Sequence, residues 1–203
     1  MNQQLLDELM TLMQRDTDMR NHLLNQERLY GDYALAMQQV HLENATALNE
    51  IIAIHGWPGI SLVGLEGGRV AWLIAQHSIC TPELQRRFLH LLTIASESGD
   101  APKRQVALLT DRIRFNEDRP QIYGTVFDWN EKGELWCDIE DPENLDKRRK
   151  AVGLPLYREA LDKHSMEVKD EGGRPPQDFA AYKQKGREWA LSVGWLSSEQ
   201  PQS

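Results

Sequence analysis

The sequence predicts a mainly α-helical protein, a multi-helix bundle with a small β-hairpin inserted after the fifth helix. Two observations lead to this prediction. Apolar residues recur at three- and four-residue intervals through most of the chain, the spacing that gives a helix one apolar face. Residues 121–139 differ, because β-branched and aromatic residues lie on both sides of the turn-like sequence NEKG.

Five helices are predicted before the hairpin. The first covers residues 5–29, and Gly31 and Asp32 separate it from a second over 33–54 that should pair with it antiparallel. The stretch GWPGISLVGLEGG, residues 56–68, has five glycines and a proline, which predicts an ordered loop. The other three helices are predicted over residues 66–77, 82–98 and 103–116.

The chain after the hairpin is predicted to be helical again. Asp141 and Pro142 open a charged helix that Gly153 should end, and LPLYREALDKHSM forms another short one. The glycine- and proline-containing run that follows predicts a linker. The domain prediction is therefore a single helical domain with its hairpin over residues 1–165, a linker over 166–177, and a carboxy-terminal helix and tail over 178–203.

Composition excludes several classes of function. A net charge of -8 and a pI near 5.3 do not supply the basic face that a nucleic-acid partner requires. The start of the chain lacks a signal-peptide pattern and no apolar run reaches membrane-spanning length, so we expect a cytoplasmic protein that binds no membrane. Cys80 and Cys137 lack the spacing of a zinc or disulfide motif, and the six histidines lack ligand spacing. No metal site and no cofactor are predicted.

A first candidate site is the end of the apolar sequence AWLIAQH, where Gln76 and His77 follow a buried helix. Histidine is the side chain best able to transfer a proton near neutral pH, so His77 is a candidate general acid or base. The alternative is structural, because a histidine at a helix carboxy terminus often interacts only with the last carbonyl groups.

A second candidate is the sequence LTDRIRFNEDRPQIYGT. Asp111 and Arg112 are consecutive on a helix and so point about 100° apart, toward different neighbours. The guanidinium of Arg112 suits a carboxylate or phosphate, and Asp111 could orient His77 as the carboxylate of a catalytic triad orients its imidazole. No serine or cysteine at a recognisable nucleophile elbow completes such a triad.

The predicted strand that follows supplies further polar groups. Gln121, Tyr123 and Thr125 alternate with other residues and would share one face, while Gly124 permits the close approach of another backbone or a ligand. The alternative interpretation is architectural, with the polar row fixing the hairpin on the helices.

The motifs GWPGISLVG, AWLIAQH, LTDRIRFNEDRPQIYGT and IEDPENLDKRRKAVGLP together resemble, in order and spacing, a widespread bacterial domain family of unknown function. The resemblance covers about residues 30–157. It implies that such proteins share eight positions of this sequence: Gln76, His77, Asp111, Arg112, Gln121, Tyr123, Gly124 and Thr125. The family usually has glutamine after the YGT element, where this chain has Val126.

Two functions follow as hypotheses. The first is a polar ligand-binding cleft, with acid-base catalysis on a small anionic or peptide-like substrate by His77 and Asp111. Arg112, Gln121 and Tyr123 would hold the substrate. The second is an immunity-type or adaptor protein that binds a basic protein partner through an acidic surface.

Overall fold

The structure is a computed structural model that describes residues 1–26, 28 and 33–197. Within these residues it confirms the mainly α-helical prediction, with an antiparallel hairpin after the fifth helix. The elements in chain order are α1 (Gln3–Asn25), α2 (Leu35–His55), α3 (Ile60–His77), α4 (Pro82–Glu97), α5 (Lys103–Asn116), β1 (Asp128–Trp129), β2 (Leu135–Trp136), a 3-10 turn (Pro142–Asn144), α6 (Leu145–Ala151), α7 (Tyr157–Asp170) and α8 (Phe179–Val193). None of the described helices is both long and apolar enough to cross a lipid bilayer.

Contacts divide the chain into two compact units, Met1–Leu109 and Thr110–Ser203, hereafter the first and the second unit. The predicted division into a domain over 1–165, a linker and a carboxy-terminal helix stays a prediction. The predicted helix break at Gly31 and Asp32 lies outside the described residues, as does the tail after residue 197.

In the first unit, α1, α2 and α3 pack against one another and α4 packs against α3. The packing follows the apolar stripes of the sequence, since Leu9 of α1, Leu48 of α2 and Val70 of α3 are all fully buried. The Asn44 side chain of α2 donates a hydrogen bond to the carbonyl oxygen of Leu12 in α1 at 3.0 Å. Three helices therefore meet around one core.

The predicted loop over residues 56–68 is wrong from residue 60 onward, because α3 begins there and is interrupted only at Gly64, with φ of 75°. The glycines permit close packing instead. A Cβ atom on Gly59 would lie 2.0 Å from the carboxylate of Asp100. That carboxylate accepts the Ser61 N–H at 2.6 Å, and the Asp100 carbonyl accepts the Ile60 N–H at 2.9 Å. Asp100 thus satisfies the first amides of α3, and the missing side chain at Gly59 lets it do so.

In the second unit, α6 and β2 both pack against α7. The hairpin is short, pairing Asp128 with Trp136 and Trp129 with Leu135. Asp178 caps the start of α8 by accepting the Ala181 N–H, and the left-handed Gly194 ends that helix. The predicted strand over residues 121–126 is wrong, since only Gln121 forms a bridge, to Ile139, and the rest is irregular.

Candidate functional site

His77, the predicted proton-transfer residue, lies at the last position of α3 and is hydrogen-bonded to Asp16 of α1. The distance between His77 Nδ1 and Asp16 Oδ2 is 2.8 Å. The last carbonyl groups of α3 have other partners, because the Gln85 amide donates to the carbonyls of Ala75 at 2.7 Å and Gln76 at 3.1 Å. The histidine ring is therefore held by a carboxylate, and these helix-end carbonyls do not depend on it.

A second histidine joins the same carboxylate. His41 of α2 places its Nε2 atom 3.1 Å from Asp16 Oδ2, and the ring centroids of His41 and His77 are 5.2 Å apart. One potential ligand atom from each of the three residues lies within 4.8 Å of the other two. We call Asp16, His41 and His77 the imidazole cluster. It joins α1, α2 and α3, the three helices of the core.

The other ring nitrogen of His41 also has a partner. Its Nδ1 atom is hydrogen-bonded to the hydroxyl of Tyr33, and the Cys80 thiol donates to that hydroxyl at 3.5 Å. A hydroxyl can donate or accept, so Tyr33 is compatible with either tautomer of His41. The orientation of the ring is fixed from both sides while its protonation can change.

The two histidines determine the charge state of Asp16. Burial alone would raise the pKa of this carboxyl, whose exposed fraction is 2%, but hydrogen bonds from His41 and His77 and the positive charge of their protonated rings lower it well below its ordinary value. Asp16 is therefore ionised at neutral pH. A buried anion between two imidazoles attracts a cation, which can be a proton or a metal ion.

A cavity of about 240 Å³ adjoins the cluster in the first unit. Asp16, His41 and His77 line it together with Tyr33 and apolar side chains. Arg20 and Arg28 line it as well, and both bring positive charge. Of the cluster, His77 is the most accessible member, since its side chain is 32% exposed against 3% for Asp16 and 9% for His41.

Asp16 and His41 were missed by the sequence analysis, although the sequence contains a signal for them. In α1 the buried residues Leu5, Leu9 and Leu12 form a stripe, and Asp16 occupies its next position. His41 likewise lies between Met37 and Ala45 in the buried stripe of α2. An ionisable residue in the place of an apolar one within such a stripe needs a buried partner. This pattern marks both residues without knowledge of the fold.

Asp111, the second predicted catalytic residue, lies in the second unit and is fully buried. Its carboxylate accepts the backbone N–H groups of Ile122 at 2.9 Å, Tyr123 at 3.1 Å and Thr125 at 3.1 Å, and also the Thr125 hydroxyl at 3.0 Å. Burial raises the pKa of Asp111, and these hydrogen bonds offset that effect only in part. We call Asp111 and residues 121–126 the Asp111 clamp.

The side chain of Gln121 completes the clamp. Its Oε1 atom accepts the N–H groups of Thr125 and Val126, each at 2.9 Å, and its Nε2 atom donates to the Val126 carbonyl at 2.7 Å. Side chains therefore satisfy the backbone of this segment where a neighbouring strand would do so in a sheet. This is the physical reason why no regular strand forms, although the residue types favour one.

Buried Arg149 holds the clamp from α6. Its guanidinium donates to the carbonyl oxygens of Tyr123 at 2.5 Å and Gly124 at 2.9 Å. Gly124 has a φ of 60°, and a Cβ atom there would lie 3.1 Å from the ring of Tyr157. The glycine thus permits a left-handed turn and the close approach of a side chain.

The remaining predicted residues have less specific surroundings. Gln76 is buried, and its amide donates to the Leu108 carbonyl at 3.4 Å. Arg112 is partly buried in the second unit and contributes, after burial itself, to lowering the pKa of His164. The expectation that Asp111 orients His77 stays a prediction. The structure gives the same imidazole another carboxylate, that of Asp16.

Comparison with known proteins agrees with the resemblance found in the sequence. The sequence profile of a family of unknown function, DUF6624, matches residues 3–168, which is more than half of the chain and extends beyond the resemblance at 30–157. No curated protein and no solved structure matches the chain. The expectation of a family of unknown function is confirmed, and the chain belongs to the DUF6624 family.

Proposed function

We propose that the protein binds a small anionic molecule in the cavity of the first unit and performs acid-base chemistry on it with the imidazole cluster. The observation that supports this function is the convergence of Asp16, His41 and His77 at the wall of a cavity that also has two arginines. The alternative, an adaptor that binds a basic protein partner, stays a prediction.

The charges at the cavity favour an anion. Arg20 and Arg28 both line the cavity, and guanidinium groups bind carboxylates and phosphates well. The volume of about 240 Å³ is below the roughly 300–1,000 Å³ of pockets that hold drug-sized ligands. A ligand of few atoms fits such a cavity.

The hydrogen bond between His77 and Asp16 supports proton transfer. If Nδ1–H of His77 donates to the carboxylate, Nε2 becomes the basic nitrogen of the ring, as in a catalytic triad. Asp16 then has the orienting role that the sequence analysis assigned to Asp111. Because His77 is the most exposed member of the cluster, it is the proposed group that exchanges the proton with the ligand.

Calorimetric titration with inorganic phosphate tests the binding step. Arg20→Met removes one charge at the cavity and should weaken phosphate binding about tenfold or more, as expected for a hydrogen bond to a charged group. Arg15→Met is the matched control, since Arg15 is an exposed arginine of the same helix and does not line the cavity. Absence of phosphate binding by the unmodified protein, or equal weakening by both variants, would contradict the proposal.

A further inference from the structure

We infer that the imidazole cluster is a binding site for one divalent first-row transition-metal ion, with His41 Nε2, His77 Nδ1 and a carboxylate oxygen of Asp16 as protein ligands. This inference goes beyond the proposed function, because it concerns the occupant of the cluster and stands whether or not an anion binds in the cavity. The proton transfer proposed for His77 belongs to the metal-free form, since a metal ion on Nδ1 leaves the ring proton on Nε2. The inference also goes beyond the sequence analysis, which predicted no metal site.

The distances within the cluster suit metal ligands. Two neighbouring ligands bonded to an ion at about 2.0–2.1 Å are about 2.8–3.4 Å apart in octahedral or tetrahedral geometry. Asp16 Oδ2 lies 2.8 Å from His77 Nδ1 and 3.1 Å from His41 Nε2. All three ligand atoms lie within 4.8 Å of one another. Both contacts of the carboxylate already lie in that range, so adjustment is needed only between the two imidazoles.

The surroundings of His41 support the same role. Metal-binding histidines usually donate the N–H of the other ring nitrogen to a neighbouring group, which fixes the tautomer. His41 has such a neighbour, because its Nδ1 atom is hydrogen-bonded to the Tyr33 hydroxyl. With the proton on Nδ1, the lone pair of Nε2 points toward Asp16 Oδ2, and only a cation between them makes that contact favourable.

A metal ion and a proton compete for the same positions. In the metal-free form, protons on the imidazole nitrogens are shared with Asp16, whereas a bound ion displaces those protons. The Tyr33 hydroxyl can accept from Nδ1–H in one form and donate to Nδ1 in the other. The Tyr33 hydroxyl therefore remains a partner of His41 whichever cation is bound.

The donor set indicates the class of metal. Two imidazoles and one carboxylate suit ions such as Zn²⁺, Co²⁺ and Fe²⁺, whereas Mg²⁺ and Ca²⁺ prefer oxygen ligands alone. Three protein ligands also leave coordination positions open, which is typical of a catalytic rather than a structural site. Asp16, His41 and His77 all line the cavity, so a ligand in the cavity could reach those positions.

Cobalt and zinc titrations test the inference. Protein without an affinity tag is freed of metal with a chelator, desalted, and titrated with Co²⁺ while the visible absorption is followed. We expect one Co²⁺ per chain with d–d bands of a nitrogen- and oxygen-ligated ion, and loss of those bands when Zn²⁺ is added. Mg²⁺ at the same concentration should leave the bands unchanged.

Variants assign the site. His77→Gln should weaken Co²⁺ and Zn²⁺ binding by at least about a hundredfold. Replacing a residue that only hydrogen-bonds to a metal ligand already lowers metal affinity about 10–100-fold, and His77 is a ligand itself. His55→Gln is the matched control, because His55 is an exposed histidine of α2, and it should bind as the unmodified protein does. Tyr33→Phe removes only the neighbour of His41 and should weaken binding about tenfold while the cobalt spectrum keeps its form.

Circular dichroism tests whether each variant is folded. Tyr33→Phe remains informative if His77→Gln does not fold. The inference is overturned if the folded protein shows no saturable binding of either ion, or if His77→Gln and His55→Gln bind equally well. Phosphate titration of the metal-free protein is a separate measurement. If the unmodified protein binds phosphate but no metal ion, this inference alone is overturned. If it binds a metal ion but no phosphate, the proposed function alone is overturned.

Discussion

Asp16 in the first unit and Asp111 in the second are both buried carboxylates, but their partners differ in kind. Asp16 is bound by two imidazole side chains beside a cavity, and its pKa is lowered. Asp111 is bound by backbone N–H groups and a threonine hydroxyl, and its pKa is raised. Two aspartates of similar burial thus have opposite electrostatic environments.

The difference supports the proposal that the imidazole cluster is a reactive site and that the surroundings of Asp111 hold the chain. Imidazoles can lose a proton or bind a metal ion, so the partners of Asp16 can change state. The N–H groups that face Asp111 cannot change state, and without the carboxylate they would be buried and unsatisfied. We therefore assign chemistry to the imidazole cluster and architecture to the Asp111 clamp.

The largest expected effect is on stability and concerns the clamp. Asp111→Ala removes the acceptor of three backbone N–H groups and one hydroxyl, which should lower the free energy of unfolding by about 3 to 5 kcal/mol. Urea denaturation followed by circular dichroism measures this change. Asp162→Ala is the control, because Asp162 is an exposed aspartate whose salt bridge is to Arg158 of the same helix, and its replacement should cost less than about 0.5 kcal/mol. A similar loss in both variants would contradict the assignment.

The two aspartates should also respond oppositely to pH. Asp16 has a folded pKa below its ordinary value of 3.8, so its ionisation contributes stability above that pH, and this contribution is lost as the pH falls toward the folded pKa. Asp111 has a raised folded pKa, so just above pH 3.8 its carboxyl is more often protonated in the folded than in the unfolded state. Its contribution to the free energy of unfolding therefore decreases as the pH rises from 3.8 through the raised pKa.

Urea denaturation of metal-free protein between about pH 2 and pH 7 measures this contrast. Between the ordinary and the shifted pKa values, the stability advantage of the unmodified protein over Asp16→Asn should increase with pH. Its advantage over Asp111→Asn should decrease with pH. If the two stability differences change with pH in the same direction, the partners of Asp16 and Asp111 do not set the charge states of these carboxyl groups as described.

The smallest expected effect distinguishes side-chain from backbone contacts within the clamp. Thr125→Val removes the hydroxyl that donates to Asp111 at 3.0 Å and should lower the free energy of unfolding by about 1 to 2 kcal/mol. Tyr123→Phe is the comparison, because Tyr123 bonds to Asp111 through its backbone N–H and to Arg149 through its carbonyl. Tyr123→Phe should lower the free energy of unfolding by less than about 0.5 kcal/mol. A larger effect of Tyr123→Phe would indicate that its hydroxyl belongs to the clamp.

The sequence predicts the helices well because their apolar spacing reports directly on packing. The predicted fifth helix, over residues 103–116, has the bounds found for α5. The loop prediction for the glycine-rich stretch was wrong because it relied on the low helix propensity of glycine. In the structure, the space that Gly59 leaves is filled by Asp100 from a distant part of the chain. The strand prediction for residues 121–126 was wrong because the side chains of Asp111 and Gln121 accept the hydrogen bonds of backbone N–H groups in this segment. No local sequence pattern reveals such partners.

The candidate site was predictable only in part. His77 follows a strongly apolar helix and is visible as an exception to it. Its partners Asp16 and His41 are 61 and 36 positions away in sequence, and only the packing of three helices brings them together. Their positions within buried stripes could have marked each residue as unusual, although not as partners of one another.

The central claim is that the imidazole cluster exchanges cations while the Asp111 clamp remains fixed. Nitrogen-15 NMR of the metal-free protein during addition of Zn²⁺ tests it most directly, because histidine ring nitrogens and backbone amides are observed together. We predict that His41 Nε2 and His77 Nδ1 move to metal-bound chemical shifts at one equivalent, while the amides of residues 122, 123 and 125 keep theirs. Unchanged imidazole resonances at saturating Zn²⁺, or shifts confined to the clamp amides, would contradict the account.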